Sequence, residues 1–229
     1  GTGDWSSDVC SSDLGNTVIV NKSTVKGGTN QATGISTTAN MGSVQVDNST
    51  LSRVNVGNTS EVTNSKNIAK GVGNTANMGS VQIKDSQVSG ITMTNNSKVT
   101  GGSMNKASGY KSATANMGSI QVKDSTVSGG RMTNISEVQG GSTNVAGGSY
   151  STANMGAVQV DKSTVRDTTI YNKSTVNKSH NKAMGIQSTA NMGAVQIRAK
   201  EVGNTNITNT SDVNDATNAA LGRKAEANM

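Results

Sequence analysis

Proline and phenylalanine are missing from this chain of 229 residues, and cysteine and tryptophan occur once each, at Cys10 and Trp5. An ordinary globular domain of this length uses all four and builds its core from large side chains. Aromatic residues make up only 2% of the chain, so a row of stacking platforms for single-stranded nucleic acid cannot be assembled. One cysteine excludes a disulfide framework and a cysteine-based metal site, and it fits either redox compartment. A single histidine, His180, leaves no second imidazole for a catalytic relay. No apolar run is long enough for a membrane-spanning helix.

What remains is Val, Ile, Ala and Met among abundant Asn, Ser, Thr and Gly. That composition alone would suit a disordered tract. Order is indicated instead by a phrase that returns in register. Thr38-Ala39-Asn40-Met41-Gly42-Ser43-Val44-Gln45-Val46 recurs from Thr75, Thr114, Thr152 and Thr189, at steps of 37, 39, 38 and 37 residues. Ala227-Asn228-Met229 begins another copy. A fixed period of this size denotes one structural unit stacked on copies of itself.

The first residues stand outside the period. Asp4-Trp5-Ser6-Ser7-Asp8-Val9-Cys10-Ser11-Ser12-Asp13-Leu14 resembles a translated sequencing adapter and holds both the Trp and the Cys. Residues 1–14 are therefore expected to be an unstructured artefact, and 15–229 a single repeat array. Thr17–Val25 aligns with Thr168–Val176, so the array is expected to be cut in mid-repeat at both ends. Without Asp4, Asp8 and Asp13, twenty bases face eleven acids, a net charge of about +9 rather than +6. Apart from the adjacent Arg223 and Lys224 these bases are scattered singly, which argues against specific nucleic-acid binding. Their general field leaves contact with anionic polysaccharide or a cell surface open.

Within each unit the Val-Gln-Val segment alternates with period two, the signal of a half-buried strand. Ser-x-Val or Ser-x-Leu follows twice, eleven residues apart, as in Ser49 and Ser60 or Ser86 and Ser97. An Asn-x-Ala-x-Gly element comes next, at Asn67, Asn105 and Asn181, before the Thr-Ala-Asn-Met-Gly phrase closes the unit. Apolar residues in twos and threes between Gly and Asn suit short strands and tight turns. Only the tail, from Ala216 to Ala227, has enough alanine to suggest a helix; the competing reading is a degenerate repeat.

One unit offers roughly eight apolar side chains, each worth about 1.5–3 kcal/mol when buried. Ordering its backbone costs about 1–2 kcal/mol per residue, so a lone unit does not fold. Stacked units cover one another's open edges. An all-β fold is predicted: a β-solenoid of 37–39-residue repeats with coils about 4.8 Å apart. The uneven spacing after the two Ser-x-Val elements favours one large coil per repeat over two small ones.

Stacking should place identical residues in columns. The expected structural columns are Asn40, Asn77, Asn116, Asn154 and Asn191; Met41, Met78, Met117, Met155 and Met192; and Gln45, Gln82, Gln121, Gln159 and Gln196. Asn and Gln columns can form side-chain amide ladders, and Met is expected to fill a core corner rather than bind a soft metal. Glu61, Lys98 and Glu137 alternate in sign from copy to copy, as stacked charges should. Asp47, Lys84, Lys123, Asp161 and Arg198 do so less regularly.

Asn67-Ile68-Ala69-Lys70-Gly71-Val72-Gly73-Asn74 resembles the Asn-x-Ala-x-Gly-x-Gly-Asn repeats of bacterial functional amyloids, Fap-type fibre subunits foremost and curli subunits more distantly. The resemblance implies an exported, self-assembling fibre or biofilm-matrix subunit, located outside the cell or on its surface. The alternative is the rigid stalk of a β-helical adhesin. An ice- or surface-binding solenoid ranks lower, because Gln87 and Glu61 interrupt the threonine columns of Thr24, Thr126, Thr164 and Thr175. No catalytic, cofactor-binding or metal-binding residues are expected: acids do not converge, no calcium-loop spacing occurs, and His180 sits before an Asn-x-Ala element as a turn residue.

Overall fold

The computed structural model describes residues 5–10 and 13–229, with side chains from Gly15 onward. Every regular element among the described residues is a β-strand, and all pairings are parallel, between a strand and its equivalent in the next repeat. Each repeat makes one coil. Backbone bonds between coils join residues 36–40 apart, such as Asn64 N–H to Thr100 O at 3.2 Å and Gly118 N–H to Met78 O at 3.0 Å. The fold is a β-solenoid.

One coil shows the design. A short strand, Val81–Lys84, carries Val-Gln-Ile. A three-residue strand, Gln87–Ser89, follows, then a nine-residue strand, Thr92–Thr100. A long strand, Met104–Met117, bends back on itself and leads to the next coil. The two Ser-x-Val elements therefore lie in different sheets of the same coil: Val88 is in the three-residue strand and Val99 in the nine-residue strand.

The corners explain much of the Asn, Asp, Gly and Ser content. Asn48, Asp85, Asp124 and Lys162 turn one corner with φ between 48° and 49°. Asparagine, aspartate and glycine tolerate this left-handed conformation best. The serine that follows completes the corner. Ser86 Oγ donates to Lys84 O at 2.7 Å and accepts the Ser49 backbone N–H at 3.2 Å, so one hydroxyl closes its own turn and ties it to the preceding coil. Ser125 repeats the device, and Ser80, after Gly79, does the same toward the following coil, its Oγ donating to Met78 O and accepting the Ser119 N–H.

Three apolar columns fill the interior. Val, Ile, Leu and Met from the Val-Gln-Val, three-residue and nine-residue strands and from the corner between the last two form the widest, including Val81, Ile83, Val88, Ile91 and Met93. The methionines of the repeated phrase stack against Val62, Val99, Val138 and Val176. Alanines alone, such as Ala69, Ala76, Ala107 and Ala115, separate the two arms of the bent long strand. At its tip glycine is obligatory: a Cβ on Gly71 would lie 1.8 Å from Gly34 O, inside the backbone of the coil beside it. The Asn-x-Ala-x-Gly element thus supplies a ladder residue, a thin core residue and a tip residue in succession.

Two expectations concern the ends of the chain. The tail does not form a helix: Thr217–Leu221 and Glu226–Asn228 are strands, and Asn218 and Asn228 align with Asn181 and Asn191. Alanine propensity yields to the open edge of the preceding coil, which accepts any extended backbone in register. Of the segment 1–14 expected to be unstructured, residues 1–4 and 11–12 lie outside the described residues. Trp5–Cys10 runs parallel to Thr38–Asp47, and Asp13–Gly15 parallel to Thr50–Ser52. Backbone pairing needs no particular side chain, so strand geometry here does not depend on repeat sequence.

Candidate binding groove

The repeated phrase folds around an inward corner. Gly42, Gly79, Gly118, Gly156 and Gly193 adopt φ of 59–62° there, and the chain turns toward the interior instead of away from it. A Cβ on Gly118 would lie 3.1 Å from Ser136 Cβ, so the corner presses against the nine-residue strand behind it. The coil is pinched at this point, and the outer face becomes concave. Thr114 and Asn116 lie on one arm of the concavity, Gln121 and Lys123 on the other.

The expected Asn and Gln columns meet at the bottom of this hollow. Asn77, Asn116, Asn154 and Asn191 each donate from Nδ2 to the Oδ1 of the equivalent asparagine in the preceding coil, at 2.9 Å. Gln82, Gln121 and Gln159 donate the opposite way, to the next coil, at 2.8, 2.8 and 3.1 Å. Within a coil the two columns are joined, as by Asn116 Nδ2 to Gln121 Oε1 at 3.1 Å. Two ladders of opposite polarity are therefore cross-linked, and their amide dipoles oppose each other. The expected Met column lies on the other side of the same strand, fully buried.

Two further ladders were not anticipated from the sequence. Asn21, Asn58, Asn95, Asn134, Asn172 and Asn209 form a chain of amide bonds at 2.8–2.9 Å in the nine-residue strands. Asn30, Asn67, Asn105, Asn144, Asn181 and Asn218 form another at 2.9–3.1 Å. Recurrence of Asn at the repeat interval was the available signal. These asparagines point inward, and Asn105 also donates to Ala76 O and Asn116 O, bracing the two arms of the long strand.

Comparison with family models, curated proteins and solved structures returned no match.

The hollow continues from coil to coil as a groove. One section, of about 310 Å³, runs past Thr38, Thr75 and Thr114, with Asp47, Lys84 and Lys123 opposite. A second, of about 580 Å³, runs past Thr114, Thr152 and Thr189, with Lys123, Asp161 and Arg198 opposite. They share Ser112, Thr114 and Lys123. Lys111, Tyr150 and Lys162 rim the second section, and Tyr150 is 60% exposed. The predicted charge column is in register along one wall: Asp47, Lys84, Lys123, Asp161, Arg198.

Charge in the groove is unevenly neutralised. Lys84 pairs with Asp85 at 2.9 Å. That hydrogen bond, with the nearby Asp47 and Asp124 carboxylates, raises the Lys84 pKa above its usual value against an opposing effect of burial. Arg198 pairs with Glu226. Among the described residues Lys111, Lys123 and Lys162 take part in no ion pair.

His180 opens the strand His180–Met184 and is exposed, in the column of Lys66, Met104 and Thr143. Thr126 and Thr164 stack with Thr50 and Gln87, while Thr24 and Thr175 share a column with Glu61, Lys98 and Glu137. No cluster of three metal-binding side chains occurs among the described residues, and no described helix could cross a membrane.

Proposed function

We propose that this chain is a structural subunit of an extracellular fibre or biofilm matrix, and not an enzyme. The observation that carries this reading is the self-similarity of the amide ladders. Every coil offers the next the same row of donors and acceptors that it received, so growth at an edge needs nothing but another copy of the same repeat. Location outside the cell follows from this scaffold role and from the resemblance to functional amyloid repeats.

The test is seeded assembly. Purified array incubated with thioflavin T should form fibres after a lag that preformed, sonicated fibres shorten. A monomer unchanged over weeks, with or without seeds, removes the fibre reading. It would favour the rigid stalk of a surface adhesin, which has its own support: the interior ladders already run through six coils within one chain, so a rod exists without assembly.

A further inference from the structure

We propose that the groove binds one strand of a linear acidic polysaccharide lengthwise, with its carboxylates along the lysine-bearing rim. Shape is the first argument. The two sections of the groove meet at Ser112, Thr114 and Lys123 and together pass five coils, from Thr38 to Thr189. At about 4.8 Å per coil the groove is roughly 19 Å long. Its polar groups recur once per coil, and a pyranose unit advances a glycan strand by a similar length. A repeating ligand can therefore meet a repeating set of hydroxyls.

Chemistry is the second argument. The threonine column offers hydroxyls that both donate and accept, which suits sugar hydroxyls. Lys111, Lys123 and Lys162 supply charge that no protein carboxylate claims. Tyr150 adds an exposed ring, apolar on its face and polar at its tip, against which a sugar ring can pack.

Other polymers fit less well. Single-stranded nucleic acid needs an aromatic platform for successive bases, and Tyr150 is the one aromatic residue lining these two sections. An extended peptide would add to a free strand edge. Along the interior of the groove the edges are taken, because each strand there is bonded to its equivalents in the coils on either side; only Val195–Arg198, at the end of its sheet, is paired on one side alone.

The inference does not depend on fibre assembly and is tested on soluble array. Retention is measured by affinity electrophoresis in gels containing polygalacturonate, a neutral linear glucan or single-stranded poly(dT). Polygalacturonate should retard the protein most, and salt near 0.5 M should release it as screening shortens the reach of each charge. The double variant Lys111→Glu, Lys162→Glu should bind polygalacturonate roughly tenfold more weakly. The double variant Lys22→Glu, Lys173→Glu makes the same change in net charge on the nine-residue strands and should lose less than about twofold. Tyr150→Ala should weaken binding without altering net charge. Circular dichroism checks the fold of each protein, and Lys123→Gln replaces the groove double variant if that one fails to fold. Absence of retardation by polygalacturonate overturns the proposal. So does equal loss in the two double variants, which would mean a general field, or retention by poly(dT) as strong as by polygalacturonate. Failure of seeded assembly leaves this result untouched.

Discussion

At the residue scale the unusual feature is how much buried polarity the interior accepts. Asn58, Asn67, Asn95, Asn105, Asn134 and Asn144 are all fully buried. An amide sealed from water without partners costs about 1–3 kcal/mol or more, yet one whose bonds are complete becomes a specificity device. Asn105 is the most heavily committed. It donates to Ala76 O, Asn116 O and Asn144 Oδ1, and accepts from Asn67. Asn105→Ala breaks the ladder and strands groups on both sides. Urea unfolding should show a loss of about 3 kcal/mol. Asn96→Ala, at an exposed position in the nine-residue strand, should stay within about 0.5 kcal/mol. Equal effects would mean that the ladders contribute nothing beyond strand pairing. These interior ladders were the least legible part of the sequence. Inward and outward Asn look alike in a chain so rich in the residue, and the glycine tip that forces Asn105 and Ala107 to face the interior is a backbone effect. The Asn and Gln columns of the repeated phrase were legible as columns, because the phrase is nearly invariant. Their meeting in a hollow was not, because the inward turn at Gly118 is set by the sign of one φ angle.

At the element scale the strands are short and individually weak, and register is imposed across coils. The nine-residue strands show how. Their inward positions carry Asn and Ser with Val or Met, and their outward positions carry charge that alternates along the stack. Glu61, Lys98 and Glu137 are neighbours in register, and Lys98 Nζ lies 3.7 Å from Glu137 Oε2. Lys98→Glu would stack three carboxylates at about the 4.8 Å strand spacing. Such pairs repel by about 1 kcal/mol each in a water-like medium, so a loss of roughly 1–2 kcal/mol is expected at low ionic strength. Screening near 1 M salt shortens the Debye length to about 3 Å and should restore most of it. Thermal melts of both proteins at the two salt concentrations check this; a loss insensitive to salt would assign the effect to packing. Period-two alternation found the Val-Gln-Val strands, and the charge alternation identified the column correctly. Division of the paired Ser-x-Val elements between two sheets escaped notice because the corner between them, at Gly90-Ile91, carries an apolar residue and reads like strand.

At the scale of the whole molecule the coil is the repeating quantum, and stability should be counted in coils. Each one contacts only its neighbours, so the array approximates a one-dimensional chain of intrinsic and interface contributions. Insertions respect this. The longer repeats place their extra residues at the Gly101-Gly102 turn and at the irregularity between Tyr110 and Ala113, outside the ladders. Removing residues 81–119 joins Ser80 to Ile120, and every later column then meets the column it would have met one coil earlier. The shortened protein should fold with an unchanged circular dichroism spectrum per residue and melt only a few degrees lower. Removing residues 100–119 instead takes half a coil. It would set the nine-residue strand against the Val-Gln-Val strand, turn Asn and Val positions against each other, and leave no ladder continuous. That protein should lose cooperative melting on both sides of the cut. If the half-coil deletion folds as well as the full-coil one, stacking in register is not what holds the molecule together. Both the fibre and the groove would then lose their geometric basis, since each is built from columns that only whole coils preserve.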